Sequence, residues 1–223
     1  MADVNGDRKP DLLVATCADY GCSLGAVAVL LNNIKSATST SVGSNLNPSI
    51  YGQKVTWTAM VAPSGSVIPT GKVQFTWSGH TIGSATLDSS GVAILTRSNL
   101  SAGTFPLTAV YMGDAVNSGS TSAVLNQVVL QATSSATLAS STNPSAQGQG
   151  VTFTATISSP TVKPTGPVTF MAGRTVLGTA QLQAGKATLT VSSLPVGSTK
   201  VTATYYGNSN ISKSSASVIQ TVQ

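Results

Sequence analysis

The chain has no glutamate, one histidine and two cysteines in 223 residues, and only 8% of it is charged. An average soluble domain is about 25% charged, so long solvated helices built on Glu, Lys and Arg are excluded. The longest apolar run, "GAVAVLL" at 25–31, falls well short of the roughly 20 residues that a membrane-spanning helix needs. The net charge is +5, yet the basic residues of 34–223 stand singly: Lys35, Lys54, Lys72, Arg97, Lys163, Arg174, Lys186, Lys200 and Lys213. A nucleic-acid groove requires clustered charge to displace counterions, so no nucleic-acid partner is expected. Disorder is excluded in turn, because 41% hydrophobic residues at low net charge can fill a core.

The same scarcity removes most catalytic chemistry. Outside residues 1–33 the only carboxylates are Asp88 and Asp114, in "LDSSG" and "MGDAV", and a glycosidase needs two flanking one bond. Asp88 reads as a turn starter before Gly91. A Ser-His-Asp triad would have to use His80, in "WSGHTIG", a hairpin-turn context. Gly148 and Gly150 precede an apolar run of strand type, so they are no phosphate loop. A Lys–Asn isopeptide crosslink would need a buried acid, for which only Asp88 or Asp114 is available. We therefore expect a protein that is not an enzyme.

What is present is repetition. "NPSIYGQKVTWTA" (47–59) matches "NPSAQGQGVTFTA" (143–155) at an offset of 96. "PTGKVQFTWSGHTIGSATL" (69–87) matches "PTGPVTFMAGRTVLGTAQL" (164–182) at 95, and "LTAVYMGDAVNSGSTSAVLNQVV" (107–129) matches "VTATYYGNSNISKSSASVIQTVQ" (201–223) at 94. The drift of two residues confines insertions to loops and predicts two homologous domains, 35–131 and 132–223. Within each copy the apolar residues alternate, as in Val55, Trp57 and Ala59, or Val151, Phe153 and Ala155. Alternation in short runs punctuated by "PTG", "SSG", "SAG" and "QAGK" predicts antiparallel strands with one buried face, about seven per copy. The joint "VVLQATSSAT" holds no Gly or Pro tract, so a stiff connection is expected.

These phrases resemble the bacterial immunoglobulin-like repeat, found in tandem in secreted and surface-anchored proteins. The resemblance covers about 190 residues and implies an all-β chain, two tandem Ig-like antiparallel β-sandwiches used as stalk, spacer or adhesive module. Its expected partners are neighbouring domains of a longer parent protein, with self-association and surface glycans or proteins as alternatives. The expected location is extracellular or at the cell surface. Of the aromatics, Trp57 has Phe153 as its counterpart and reads as core. Trp77 aligns with Ala172 beside the turn holding His80, so Trp77 and His80 are the candidate ligand-facing pair.

Residues 1–34 differ in kind. Asp3, Asn5, Asp7 and Asp11 stand at loop positions 1, 3, 5 and 9 of "DVNGDRKPD", where alternating oxygen ligands suit one hard cation. With "DLLVATC" and "GAVAVLLNN" following, the segment resembles a blade fragment of the FG-GAP or VCBS repeats of integrin-type β-propellers. That resemblance implies an N-terminal β-hairpin fragment binding structural Ca2+ through Asp3, Asn5, Asp7 and Asp11 and the backbone carbonyl of Lys9. Arg8 stands where that loop has glycine, which adds a positive charge beside the ion. Cys17 and Cys22, in a C-x4-C spacing across the expected hairpin, suit a disulfide in an oxidising compartment; free thiols are the alternative, and zinc would need two more ligands. No charged leader with an apolar region precedes this loop, so a piece of a longer protein is expected. The orphan strand pair could also join a neighbour's sheet edge and build a filament.

Overall fold

The computed structural model describes residues 10–17, 25–30 and 34–223, and among these every regular element is a β-strand. Strands β1 (Leu12–Cys17) and β2 (Gly25–Leu30) pair antiparallel, from Leu12↔Leu30 to Cys17↔Gly25. Asp3, Asn5, Asp7, Lys9 and Cys22 lie outside the described residues, and so does any pairing of Cys22 with Cys17.

The first copy contributes nine strands: β3 (Thr38–Ser44), β4 (Ser49–Ile50), β5 (Val55–Pro63), β6 (Lys72–Trp77), β7 (His80–Thr86), β8 (Val92–Arg97), β9 (Gly103–Tyr111), β10 (Ser120–Thr121) and β11 (Leu125–Leu130). They form two sheets, in the orders β3-β5-β8 and β4-β11-β9-β6-β7, with β10 added to β9. The second copy contributes seven: β12 (Ser135–Ser140), β13 (Val151–Ser158), β14 (Pro167–Ala172), β15 (Thr175–Gln181), β16 (Lys186–Val191), β17 (Gly197–Tyr205) and β18 (Ser214–Val222). Their sheets run β12-β13-β16 and β15-β14-β17-β18, and no sheet draws strands from both copies.

The alternation in sequence becomes alternation in burial. Val151, Phe153, Ala155 and Ile157 of β13 are buried, while the threonines between them stay partly exposed. They join Val168 and Phe170 of β14 and Val201, Ala203 and Tyr205 of β17 in one core. Each such apolar side chain contributes about 1.5–3 kcal/mol relative to exposure, so period two fixes which face turns inward. In the first copy Val55, Trp57 and Ala59 are buried in the same way, as are Val73, Phe75, Leu107 and Ala109.

Turns close the hairpins where the sequence has short polar residues. Ser78 and Gly79 both take positive φ, 47° and 84°, between the paired Trp77 and His80; two positive φ values define the turn whose twist matches a hairpin. Both copies carry a β-bulge in this same hairpin, between Phe75 and Thr76 and between Phe170 and Met171.

The chain divides into two compact units. One comprises Met1–Gly43, Trp57–Leu95 and Pro106–Leu125; the other comprises Ser44–Thr56, Thr96–Phe105 and Asn126–Gln223. The second unit therefore joins three segments of the first copy, 44–56, 96–105 and 126–131, to the whole of the second copy.

Candidate functional site

The repeated phrase "NPS…GQ" turns out to be a clamp on the loop before β5 and β13. Asn47 accepts the Val128 amide at 2.8 Å through Oδ1 and donates to the Asn126 carbonyl at 2.8 Å through Nδ2. Asn143 does the same with Thr221 and Ile219, at 2.9 and 2.7 Å. In each copy the final glutamine closes the turn, Gln53 accepting from the Ile50 amide and Gln149 from the Ala146 amide. Beneath the loop lies a fully buried glutamine that the sequence reading missed. Gln127 Nε2 donates to the Leu46 and Val128 carbonyls while its Oε1 accepts from Ser44 Oγ at 2.7 Å. Gln220 repeats the pattern with Thr142, Thr221 and Ser140. The aligned phrases conceal it, because at an offset of 94 Gln127 stands against Thr221 and Gln220 against Asn126.

Within the second unit this clamped turn is the surface on which the next loop sits. Thr161 Oγ1 donates to the Tyr51 carbonyl at 2.7 Å. Gly52 has φ +88°, and a Cβ there would stand 2.3 Å from Val162 Cγ1 and 2.8 Å from the Thr161 carbonyl oxygen. Ile50 and Tyr51 pack against the core cluster of the second copy. A second contact comes from the β8–β9 loop, where the Ala102 amide donates to Asn210 Oδ1 at 2.8 Å. Gln131 Nε2 donates to the Asn208 and Ser209 carbonyls, and Ala132, fully buried, exchanges backbone bonds with Asn210 and Ser212. The sequence predicted a short joint, and these residues give it defined contacts.

Asp114 is the one acid in the described part of the repeats with many partners. Its Oδ1 accepts from the Val116 and Asn117 amides, and its Oδ2 accepts from the Thr70 amide, Thr70 Oγ1 and Asn117 Nδ2. Burial alone would raise its pKa, but the Thr70, Asn117 and Val116 hydrogen bonds outweigh it and hold the carboxyl well below the usual carboxylate range. Burial first, and then the adjacent Asp114 carboxylate, push Tyr111 up to about 12. Lys35 Nζ donates to the Asp114 backbone carbonyl. Asp88 is occupied as a turn starter, accepting from the Ser90 and Val92 amides at 2.8 and 3.0 Å. Asn208 takes the Asp114 role in the second copy, accepting from the Asn210 and Ile211 amides.

Trp77 and His80 are paired across the β6–β7 turn, with Trp77 half-buried. Trp77 follows Phe75 on the inward side of β6, and its ring meets Trp57 edge-on, with centroids 5.9 Å apart at 84°. The Trp57 that Trp77 meets has a smaller counterpart in Phe153. His80 is exposed at the start of β7. Of the expected calcium ligands only Asp11 is described, and it is fully buried. Among the described residues no three His, Cys, Asp or Glu side chains are grouped to hold a metal ion. A polar groove of about 390 Å3 is lined by Ala180, Gln181, Gln183, Lys186 and Thr188, which supply donors but no acid–base pair. No helix among the described residues is long and apolar enough to cross a membrane.

The profile of the bacterial Ig-like domain (group 3) family matches residues 31–130 and 137–223. No curated protein matches the chain. Among solved structures, the fibronectin(III)-like modules of CbhA from Clostridium thermocellum are 18% identical, with 82% of this chain and 94% of that chain covered and a TM-score of 0.35. The three N-terminal domains of the outer capsid protein Hoc of bacteriophage RB49 are 19% identical over 83% of this chain and 59% of that one, TM-score 0.37. The adhesin InvE of Yersinia pseudotuberculosis is 16% identical over 82% and 58%, TM-score 0.40. The chain thus spans less than two thirds of the last two.

Proposed function

The chain belongs to the bacterial Ig-like domain (group 3) family, and from that premise we propose that it is a non-enzymatic structural module of a secreted or surface-anchored bacterial protein, linking or presenting other domains. The observation that carries this reading is the seat at Gly52. A module that transmits position needs its repeats fastened by contacts, and here Tyr51, Gly52 and Ala102 meet Thr161, Val162 and Asn210 within one compact unit. Its described polar side chains serve turns and clamps, which supports the same reading. The experiment is protease shaving of intact cells that make the parent protein. Release of peptides from 35–223, with a cytosolic marker retained, is the expected result; recovery only after lysis would overturn the assignment.

A second reading rests on the N-terminal hairpin. Leu12 and Leu13 are 51% and 43% exposed on a two-stranded sheet, and such a pair needs further cover for stability. It would take strands from neighbouring domains or from another subunit, in the manner of the propeller repeat that the segment resembles. Calcium held by Asp3, Asn5, Asp7, Lys9 and Asp11 belongs to this reading, and of these Asp11 is fully buried. Calorimetric titration of calcium into the full chain and into Asp11→Asn tests it: binding lost in the variant supports the loop, and unchanged or absent binding removes it.

A further inference from the structure

The groove lined by Ala180, Gln181, Gln183, Lys186 and Thr188 lies where the two sheets of the second copy end side by side. β16 closes the order β12-β13-β16 and β15 opens the order β15-β14-β17-β18, so among the described residues neither has a partner strand on its outer side. The register tells which backbone groups this leaves open. The Ile157 amide donates to the Gly185 carbonyl at 2.8 Å, and hydrogen-bonded pairs alternate along an antiparallel ladder. Ala187, Leu189 and Val191 therefore turn their N–H and C=O groups to β13, opposite Ala155, Phe153 and Val151. Those of Lys186, Thr188 and Thr190 face the other way. Lys186 exchanges its pair with Gln183, at 3.0 and 2.8 Å, which leaves Thr188 and Thr190 presenting theirs along the edge. The same count on β15, from the Leu182 amide to the Gly166 carbonyl at 2.9 Å, turns the backbone of Gln181 away from β14.

The groove has one sign of charge. Lys186 is the only ionisable side chain that lines it, beside the carboxamides of Gln181 and Gln183. The first copy has the same edge with different chemistry, since Val92 stands for Lys186, Ile94 for Thr188 and Asp88 for Gln183. Asp88 is there bonded to its own turn, and Ile94 is 57% exposed.

We propose that the edge of β16, with the groove beside it, takes an extended acidic peptide segment of a partner protein as an added strand. The Thr188 and Thr190 backbone bonds the main chain of that segment, and Lys186 meets a carboxylate on it. A peptide fits better than a saccharide, because what the edge leaves open is a row of alternating N–H and C=O groups, and no aromatic ring lines the groove. Lys186 repels other basic edges and discourages apolar ones, as edge lysines do. The same charge selects an acidic strand. The edge of β8 carries no such cation, so the site belongs to the second copy alone.

The probe is a capped heptapeptide in which valine alternates with polar residues, threonine on either side of one central aspartate. It is titrated to about 1 mM into the full chain and followed by NMR. The Thr188 and Thr190 amides should shift saturably and exchange with solvent more slowly. The peptide with asparagine for aspartate should bind about 2–5-fold more weakly, and a fully N-methylated one should not bind. Thr188→Pro removes an N–H that points away from β13, a place where an edge strand tolerates proline; it should melt like the parent and lose the peptide. Lys186→Ala should still bind the peptide but no longer distinguish aspartate from asparagine, and it decides the matter if Thr188→Pro does not fold. Absence of a saturable shift would overturn the proposal. So would equal binding of the N-methylated peptide, an aspartate preference that survives in Lys186→Ala, or shifts falling equally on Ile94 and Thr96 of β8.

Discussion

Val162 occupies the space that any side chain on residue 52 would need, its Cγ1 lying 2.3 Å from where that Cβ would stand. Gly148, the same residue one repeat later, has open space in that direction. The pair separates two costs that a glycine substitution usually mixes. Gly148→Ala should cost only the strain of positive φ, about 1–2 kcal/mol. Gly52→Ala adds overpacking against Val162 and the Thr161 backbone, about another 1–3 kcal/mol. Denaturant unfolding of both variants measures the difference, and equal losses would mean that the Gly52 contact contributes nothing.

Asp114 makes stability depend on acid. Its pKa is lowered in the folded chain, so its contribution is complete above the ordinary carboxylate range and declines as pH falls through that range toward the depressed folded value. Stability measured between about pH 6 and pH 2 should therefore fall less steeply in Asp114→Ala, which should itself lose about 2–3 kcal/mol at neutral pH. Asp114→Asn retains an oxygen for the Val116 and Asn117 amides, as Asn208 does for Asn210 and Ile211. It should lose less, about 1–2 kcal/mol, because only the contacts to Thr70 and Asn117 Nδ2 are disturbed.

The buried glutamines should be equivalent. Gln127→Leu leaves the Leu46 carbonyl and Ser44 Oγ without the carboxamide, and Gln220→Leu does so for Thr142 and Ser140. Each should cost about 1–3 kcal/mol, measured by thermal unfolding. A neutral result in either copy would show that the "NPS" loop is held by Asn47 or Asn143 alone.

The tryptophans should behave as core. Trp57→Phe should be mild, because Phe153 fills the matching place in the second copy, whereas Trp77→Ala should cost about 3–5 kcal/mol. Emission from both indoles should be blue-shifted and poorly quenched by iodide. A readily quenched Trp77 would favour its reading as a ligand-facing residue.

How much of this was legible follows from the kind of signal each feature leaves. Val55, Trp57 and Ala59, and their counterparts Val151, Phe153 and Ala155, announced the strands because period two and burial are the same fact. Duplication made the fold readable, since a loop phrase that recurs with its turns intact carries more than propensity. The clamp was visible as "NPS…GQ" but not as a clamp, because the partners of Asn47 are backbone groups of a strand some 80 residues away. Gln127 was hidden for the same reason, a polar residue inside a strand whose partners are long-range. The contact of Trp77 with Trp57 was not legible, because it depends on which side the count from Phe75 gives and the turn beside Trp77 carries no sign of it. The seat at Gly52 left no local signal: Gly148 stands in the same phrase, and only the packing tells them apart.

The most direct measurement is hydrogen exchange of the Ala102 amide in the full chain. This loop amide has no partner in its own strand ladder; its acceptor is Asn210 Oδ1, 108 residues further along. If the repeats are fastened as described, it exchanges far more slowly than a free loop amide, and Asn210→Ala releases it while core amides such as Phe153 stay protected. Exchange at the free-peptide rate in the unaltered chain would contradict the account.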